Sequence, residues 1–181
     1  MNTITLQSEP SPAMQMIQGE KKLAESRVTV GFDGFIDILV KPIVKTSQEP
    51  SKLQYFKTIE EFGNFLSSHK GVSCSVETQM FSKKFGGNAP LLSNALSHLG
   101  VPVDCIGTFG KDAIDPVFLD LTFPLYSFDD AGISTALEFT DGKVLLGERI
   151  SKRPSWEAIL ACTSEAGLDK LINGSDLLRC V

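Results

Sequence analysis

The chain has 181 residues, 42% of them hydrophobic and 22% charged, and a formal net charge of −5, which is an ordinary globular mix long enough for one domain with a real core. The acidic balance argues against a nucleic-acid surface or an anionic membrane as partner. No apolar run approaches the ~20 residues of a membrane span, and the N-terminus lacks the basic start and apolar block of a secretory signal, so a cytoplasmic protein is expected.

Residues 1–27 are polar, contain Pro10 and Pro12, and read as an N-terminal extension with a short helix over Met14–Leu23. "VTVGFDGFIDILV", Val28 to Val40, is apolar, β-branched and broken by Gly31 and Gly34; it predicts a buried strand, a bend and a second extended segment. "KTSQEPSK" is a loop. Thr58 and Glu61 then form a capping-box pattern ahead of Ile59, Phe62, Phe65 and Leu66, which share one helical face, and Gly71 ends that helix. Val72 to Phe85 reads as one or two strands. In "KFGGNAPLLSNALSHLG", Leu92, Ala95, Leu96 and Leu99 fall at i, i+3, i+4 and i+7, which predicts a helix with one buried stripe, stopped by Gly100 and Pro102. "VDCIGTFG" is a strand running into a glycine turn. "TALEFTDGKVLLGERI" is two strands joined at Asp141-Gly142. Trp156–Ala166 and Leu168–Ile172 are helical, and "SDLLRCV" begins another strand.

Strand–helix–strand units with short turns predict an α/β fold with a mostly parallel sheet. The Asp141-Gly142 hairpin and the Val72–Phe85 strands fall outside that alternation and suggest a second, antiparallel layer. "SDLLRCV" leaves an apolar strand with no helix after it to cover the sheet, so a longer protein is expected. Cys74, Cys105, Cys162 and Cys180 show no C-x-x-C spacing, which disfavours a disulfide framework or zinc site. With His69 and His98 as the only histidines, a histidine-based metal site is not expected.

Three stretches carry chemistry. Gly86-Gly87-Asn88 permits φ > 0 and close backbone approach. Asn88 suits an N-cap and Pro90 the first turn, and the helix end offers free amides. The same residues equally describe a strand-to-helix turn. "GFDGFID" holds Asp33 and Asp37. Asp37 lies between Ile36 and Ile38, so it either faces solvent on an alternating strand or points into a pocket, where an acceptor-only group suits sugar hydroxyls. "GTFGKD", Gly107 to Asp112, places a turn at the C-terminal edge of the sheet, where α/β proteins bind ligands, with Asp112 as a cap the simpler reading. Neither G-x-G-x-x-G nor G-x-x-x-x-G-K-[ST] is present, which leaves a Rossmann dehydrogenase without its fingerprint.

In order, Gly86-Gly87, Leu99-Gly100 and Gly107, Gly110, Asp112 resemble the ribokinase-like (PfkB) carbohydrate kinases, from about Val28 to the end of the chain. The resemblance implies a three-layer αβα sandwich with a mostly parallel, Rossmann-like sheet and a small β-sheet lid. The lid strands would lie within about 33–45, 72–85 and 134–150 of a partial domain at 28–181. It implies phosphoryl transfer from ATP, with Mg²⁺, to a sugar hydroxyl. Asp37 matches the family's substrate-binding Asp, and Gly86, Gly87 and Asn88 the loop that contacts the sugar, with a homodimer through the lid strands as the protein partner. Two departures stand out. Leu91 occupies the position where the family usually has Asn. The family's Gly-Ala-Gly-Asp segment, with the anion hole and catalytic base, is absent; "NGSD" at 173–176 reads as a helix end and a new strand. No catalytic residue or nucleotide pocket is therefore expected in this chain. A nucleoside kinase with Phe32, Phe35 or Phe109 as a purine wall, and a non-catalytic sugar-binding or dimerising module, are the alternatives.

Overall fold

The computed structural model describes residues 25–45, 48–49, 52–147 and 154–180. The expected helix at Met14–Leu23, most of the 1–27 extension and the 148–150 end of the last expected lid strand lie outside the described residues. Within them the order is β1 (Val28–Gly31), β2 (Phe35–Lys45), β3 (Gln54–Tyr55), α1 (Ile59–Ser68), β4 (Thr78–Gly86), α2 (Asn88–His98) and β5 (Val103–Thr108). There follow β6 (Leu125–Asp129), β7 (Gly132–Glu138), β8 (Lys143–Gly147), α3 (Trp156–Thr163), α4 (Glu165–Asn173) and β9 (Leu177–Cys180).

Four parallel strands in the order β6-β5-β1-β9 form the main sheet. Its registers include Val30 beside Cys105 and Thr29 beside Asp104. A parallel sheet needs cover on both faces, and side chains alternate accordingly. Val28, Val30, Val103 and Cys105 join Ala89 of α2 and Phe109, Phe118 and Phe123 in one core. Ile106 on the opposite face packs with Ile159 of α3 and Leu168 and Leu171 of α4. Helix, sheet, helix is the three-layer arrangement. Complete burial of Val30, Ile106, Phe109 and Phe118 contributes about 1.5–3 kcal/mol for each side chain. Asp104, 1% exposed, is paired by Arg27 at 2.7 Å, which ties the entry of β1 to β5.

The second sheet runs β3-β2-β7-β8, with β4 on the other edge of β2. It is the second layer that the extra strands suggested, but mixed and not purely antiparallel, because β2 and β7 run parallel. β2 is its hub, antiparallel to β4 and parallel to β7. Helix α1 closes one end. Thr58 caps it by accepting from Glu61 N at 3.1 Å, while the Glu61 carboxylate accepts from Lys57 N. Phe62 and Phe65 pack on Phe56 at 5.2 Å between ring centroids, and the Asp141 carboxylate accepts from Ile59 N.

Three local details are settled by the structure. Val72–Phe85, read as one or two strands, holds one, which starts at Thr78. β6 was not foreseen, because "LYSFD" is short and its half-buried residues show no alternation. The stripe of α2 is rotated: Ala89, Pro90 and Ser93 are buried, Leu92 and Leu96 pack partly against the core, and Leu99 is exposed along with Ala95. The helix meets the sheet along Ala89, Ser93 and Leu96, small residues at its N-terminal end allowing close approach, so residues 95 and 99 project past the contact. Among the described residues no helix is long and apolar enough to cross a membrane.

Candidate sugar site at the β1–β2 bend

The bend between β1 and β2 is fixed from below. Gly34 O accepts from Thr108 Oγ1 at 3.0 Å and from Gly132 N at 3.0 Å, which joins the bend to the end of β5 and the start of β7. A side chain at Gly34 would run into the Thr108 carbonyl and approach Phe109 Cδ1 to 3.0 Å. Only glycine lets the bend lie this low, and its position determines where Asp33 and Asp37 project.

Asp33 projects towards the glycine loop. Its Oδ2 accepts from Asn88 N at 2.8 Å and its Oδ1 from Ala89 N at 2.6 Å. Two of the amides at the start of α2 are thereby satisfied by a carboxylate 55 residues earlier in the chain. The N-cap position belongs to Gly87, whose φ is 95° and which makes no side-chain cap. Asn88, expected as the cap, is instead the first helical residue. The reason is local: the left-handed turn at Gly87 brings the helix to Asp33, and a glycine cap leaves the donors to an outside acceptor.

Asp37 lies on β2 with its carboxylate against Gly86. A methyl group on Gly86 would sit 2.6 Å from Asp37 Cγ and 2.8 Å from Oδ1. Across the ladders Asp37 is opposite Lys84 on β4 and Ser134 on β7. Directly paired residues share a face, so one row offers an ammonium, a carboxylate and a hydroxyl. The row thus combines a pure donor, a pure acceptor and a group that can do either. Sequence reasoning missed Lys84 and Ser134, because pairing between distant strands is not encoded locally. The structure thus brings Asp33, Asp37, Gly86, Gly87 and Asn88 into one neighbourhood.

The Gly107–Asp112 turn lies beside it. Gly110 has φ 133°, and Lys111 N donates to Asp130 Oδ1 at 2.9 Å. Asp115, not Asp112, is the capping carboxylate here; it accepts from Val117 N ahead of a short 3-10 turn at Pro116–Phe118. Phe109 is fully buried and edge-on to Phe118 at 5.1 Å, so it belongs to the core and cannot wall a purine site. A cleft of about 530 Å³ opens at the C-terminal ends of β1, β5 and β6, lined by Phe32, Asp33, Thr108, Lys111 and Asp130 among others. Asp33 is common to this cleft and the glycine loop. A larger hollow of about 970 Å³, bounded by Lys41, Tyr55 and Phe139, sits towards the other end of β2, away from these groups.

Beneath α2, burial pushes the Cys105 thiol up to about 12; a Ser93 hydrogen bond opposes this and the Asp33 charge adds to it. The Ser93 hydroxyl is fully buried and meets no hydrogen-bond partner of good geometry, so its contact with this thiol is a weak one. The thiol is a neutral core group, not a nucleophile. Among the described residues no group of three His, Cys, Asp or Glu side chains could hold a metal ion, so no magnesium ligand is assigned.

The chain resembles known proteins over most of its length. It is 26% identical over 159 residues to a ketohexokinase of Haloferax volcanii, covering 84% of this chain and 41% of that protein. A carbohydrate kinase from Agrobacterium tumefaciens shares the fold with a TM-score of 0.50 and 17% identity, over 86% of this chain and 45% of the other. The chain thus spans less than half the length of these relatives. The family model described as prokaryotic ketohexokinase matches residues 13–180, and the chain belongs to that family of ribokinase-like sugar kinases.

Proposed function

We propose that this chain supplies the sugar-binding and lid part of a kinase that transfers a phosphoryl group from ATP, with Mg²⁺, to a hydroxyl of a ketohexose. The observation that carries the reading is the placement of the Asp37 carboxylate against Gly86, flanked in register by Lys84 and Ser134. Asp37 accepts hydrogen bonds from substrate hydroxyls. Gly86 and Gly87 keep the backbone bare, so the sugar reaches the β4–α2 loop. The Asn88 amide is committed to Asp33, so Asn88 contributes through its exposed side chain. Leu91, 51% exposed in the first turn of α2, puts an apolar edge where the family usually presents Asn.

The second sheet carries this row and acts as the lid over the bound sugar, which excludes water and positions the hydroxyl. Its open edges suit a homodimer. No residue of this chain is assigned as catalytic base or nucleotide ligand. The account predicts that the complete protein phosphorylates fructose with ATP, and that the 181-residue chain alone produces no ADP above background. Turnover by the isolated chain would overturn this division of labour. Preference of the complete protein for adenosine over ketohexoses would overturn the substrate class.

A further inference from the structure

Asp33 spends both carboxylate oxygens on the start of α2, one on the Asn88 amide and one on the Ala89 amide. The first turn of a helix carries free donors and a positive dipole end, which attract anions. Here that anion is built into the chain. The bonds join the bend to the start of α2 just beyond the last rung of the β2–β4 ladder, Phe35 opposite Gly86. The fit around them is close: a methyl group on Gly87 would lie 3.2 Å from Asp33 Oδ1, from Gly34 Cα and from Phe35 N. The loop therefore rests on the bend, and Gly86, the residue against Asp37, is held by the Phe35 rung on the strand side and by this turn on the helix side.

We propose that Asp33 is a positioning and specificity residue of the sugar site: it locks the Gly86–Gly87 loop at the height Asp37 requires and fills the helix end with charge, so that uncharged ketohexoses enter and phosphate monoesters are rejected. The inference rests on the kinase reading and adds to it a residue and a selectivity. A phosphate near this loop meets two carboxylates, Asp33 and Asp37, and the two amides suited to an anion are occupied. Lys84 faces Asp37 across the ladder and Lys111 lines the cleft with Asp33, one cation for each carboxylate, so an incoming phosphate finds no net positive charge.

The test uses Asp33→Asn and Asp33→Ala in the complete protein, with inorganic phosphate as the anion probe. Asp33→Asn keeps the shape and an acceptor and removes the charge; Asp33→Ala removes both. Loss of charge-assisted hydrogen bonds predicts a fructose KM about tenfold higher in Asp33→Ala, a smaller rise in Asp33→Asn, and an unchanged KM for ATP. In both variants phosphate should become a competitive inhibitor against fructose. An unchanged fructose KM, parallel rises for fructose and ATP, or phosphate inhibition no stronger than in the wild type would overturn the proposal. If Asp33→Ala does not fold, Asp33→Asn carries the test. Calorimetric titration of fructose and phosphate reads the same two effects without turnover. A wild-type protein that binds fructose but never phosphorylates it would refute the kinase reading while still deciding the role of Asp33.

Discussion

Replacing Gly86 by Ala separates stability from sugar binding. Gly86 ends β4 without a positive φ, so its backbone accepts alanine without strain. The added methyl group would lie 2.6 Å from Asp37 Cγ, whereas an ordinary carbon–carbon contact needs about 3.5 Å or more. Something must retreat by roughly 1 Å, and the far end of the Asp37 side chain is what can. An off-rotamer carboxylate costs about 0.5–1.5 kcal/mol. Alanine in place of a strand glycine returns about 0.5–1 kcal/mol through lower unfolded-state entropy. Net stability should therefore change by less than ~1 kcal/mol. A carboxylate displaced this far loses hydrogen bonds to substrate that are each worth about 1.5–3 kcal/mol, or roughly ten- to hundredfold in affinity. Denaturation curves together with calorimetric titration of fructose into the complete protein measure both quantities. Wild-type affinity in a folded Gly86→Ala protein would refute the argument that Asp37, placed by Gly86, binds the sugar.

Other outcomes follow from the same geometry. Gly87→Ala forces a left-handed φ of 95° on a residue with a Cβ, and should lose about 1–2 kcal/mol of stability by denaturant titration. Thr58→Ala removes the cap of α1 and should cost ~1 kcal/mol, read the same way. Arg27→Ala leaves the buried Asp104 carboxylate without its cation and should cost about 1–3 kcal/mol; Arg27→Lys should recover part of the loss. Thiol reagents at neutral pH should label exposed Cys74 and Cys180 first, and Cys105 only on unfolding. Burial holds the Cys105 thiol up at about 12 against an ordinary 9.0. The unfolded chain therefore loses that proton first, stability should fall as pH rises from 9.0 towards 12, and Cys105→Ala should flatten that fall.

Much of this was legible in the sequence because the information is local. The broken apolar run at Val28–Val40 gave β1, the bend and β2, and Thr58 with Glu61 marked the start of α1. The ordered glycine motifs led to the ribokinase-like fold. What escaped depends on contacts between distant segments. Asn88 has the chemistry of a cap, but Asp33 arrives from 55 residues away and takes its amide. The stripe of α2 follows periodicity only until the small residues Ala89 and Ser93 set the line of contact. Phe109 looked available for a base, yet the turn after β5 folds it into the core against Phe118. Lys84 and Ser134 become partners of Asp37 only when β4 and β7 pair with β2.

The central claim, that Asp37 holds a ketohexose for phosphorylation, is tested most directly by steady-state kinetics of Asp37→Asn in the complete protein with fructose and ATP. The account predicts a fructose KM raised at least tenfold with the KM for ATP unchanged. Wild-type kinetics for both substrates would contradict it.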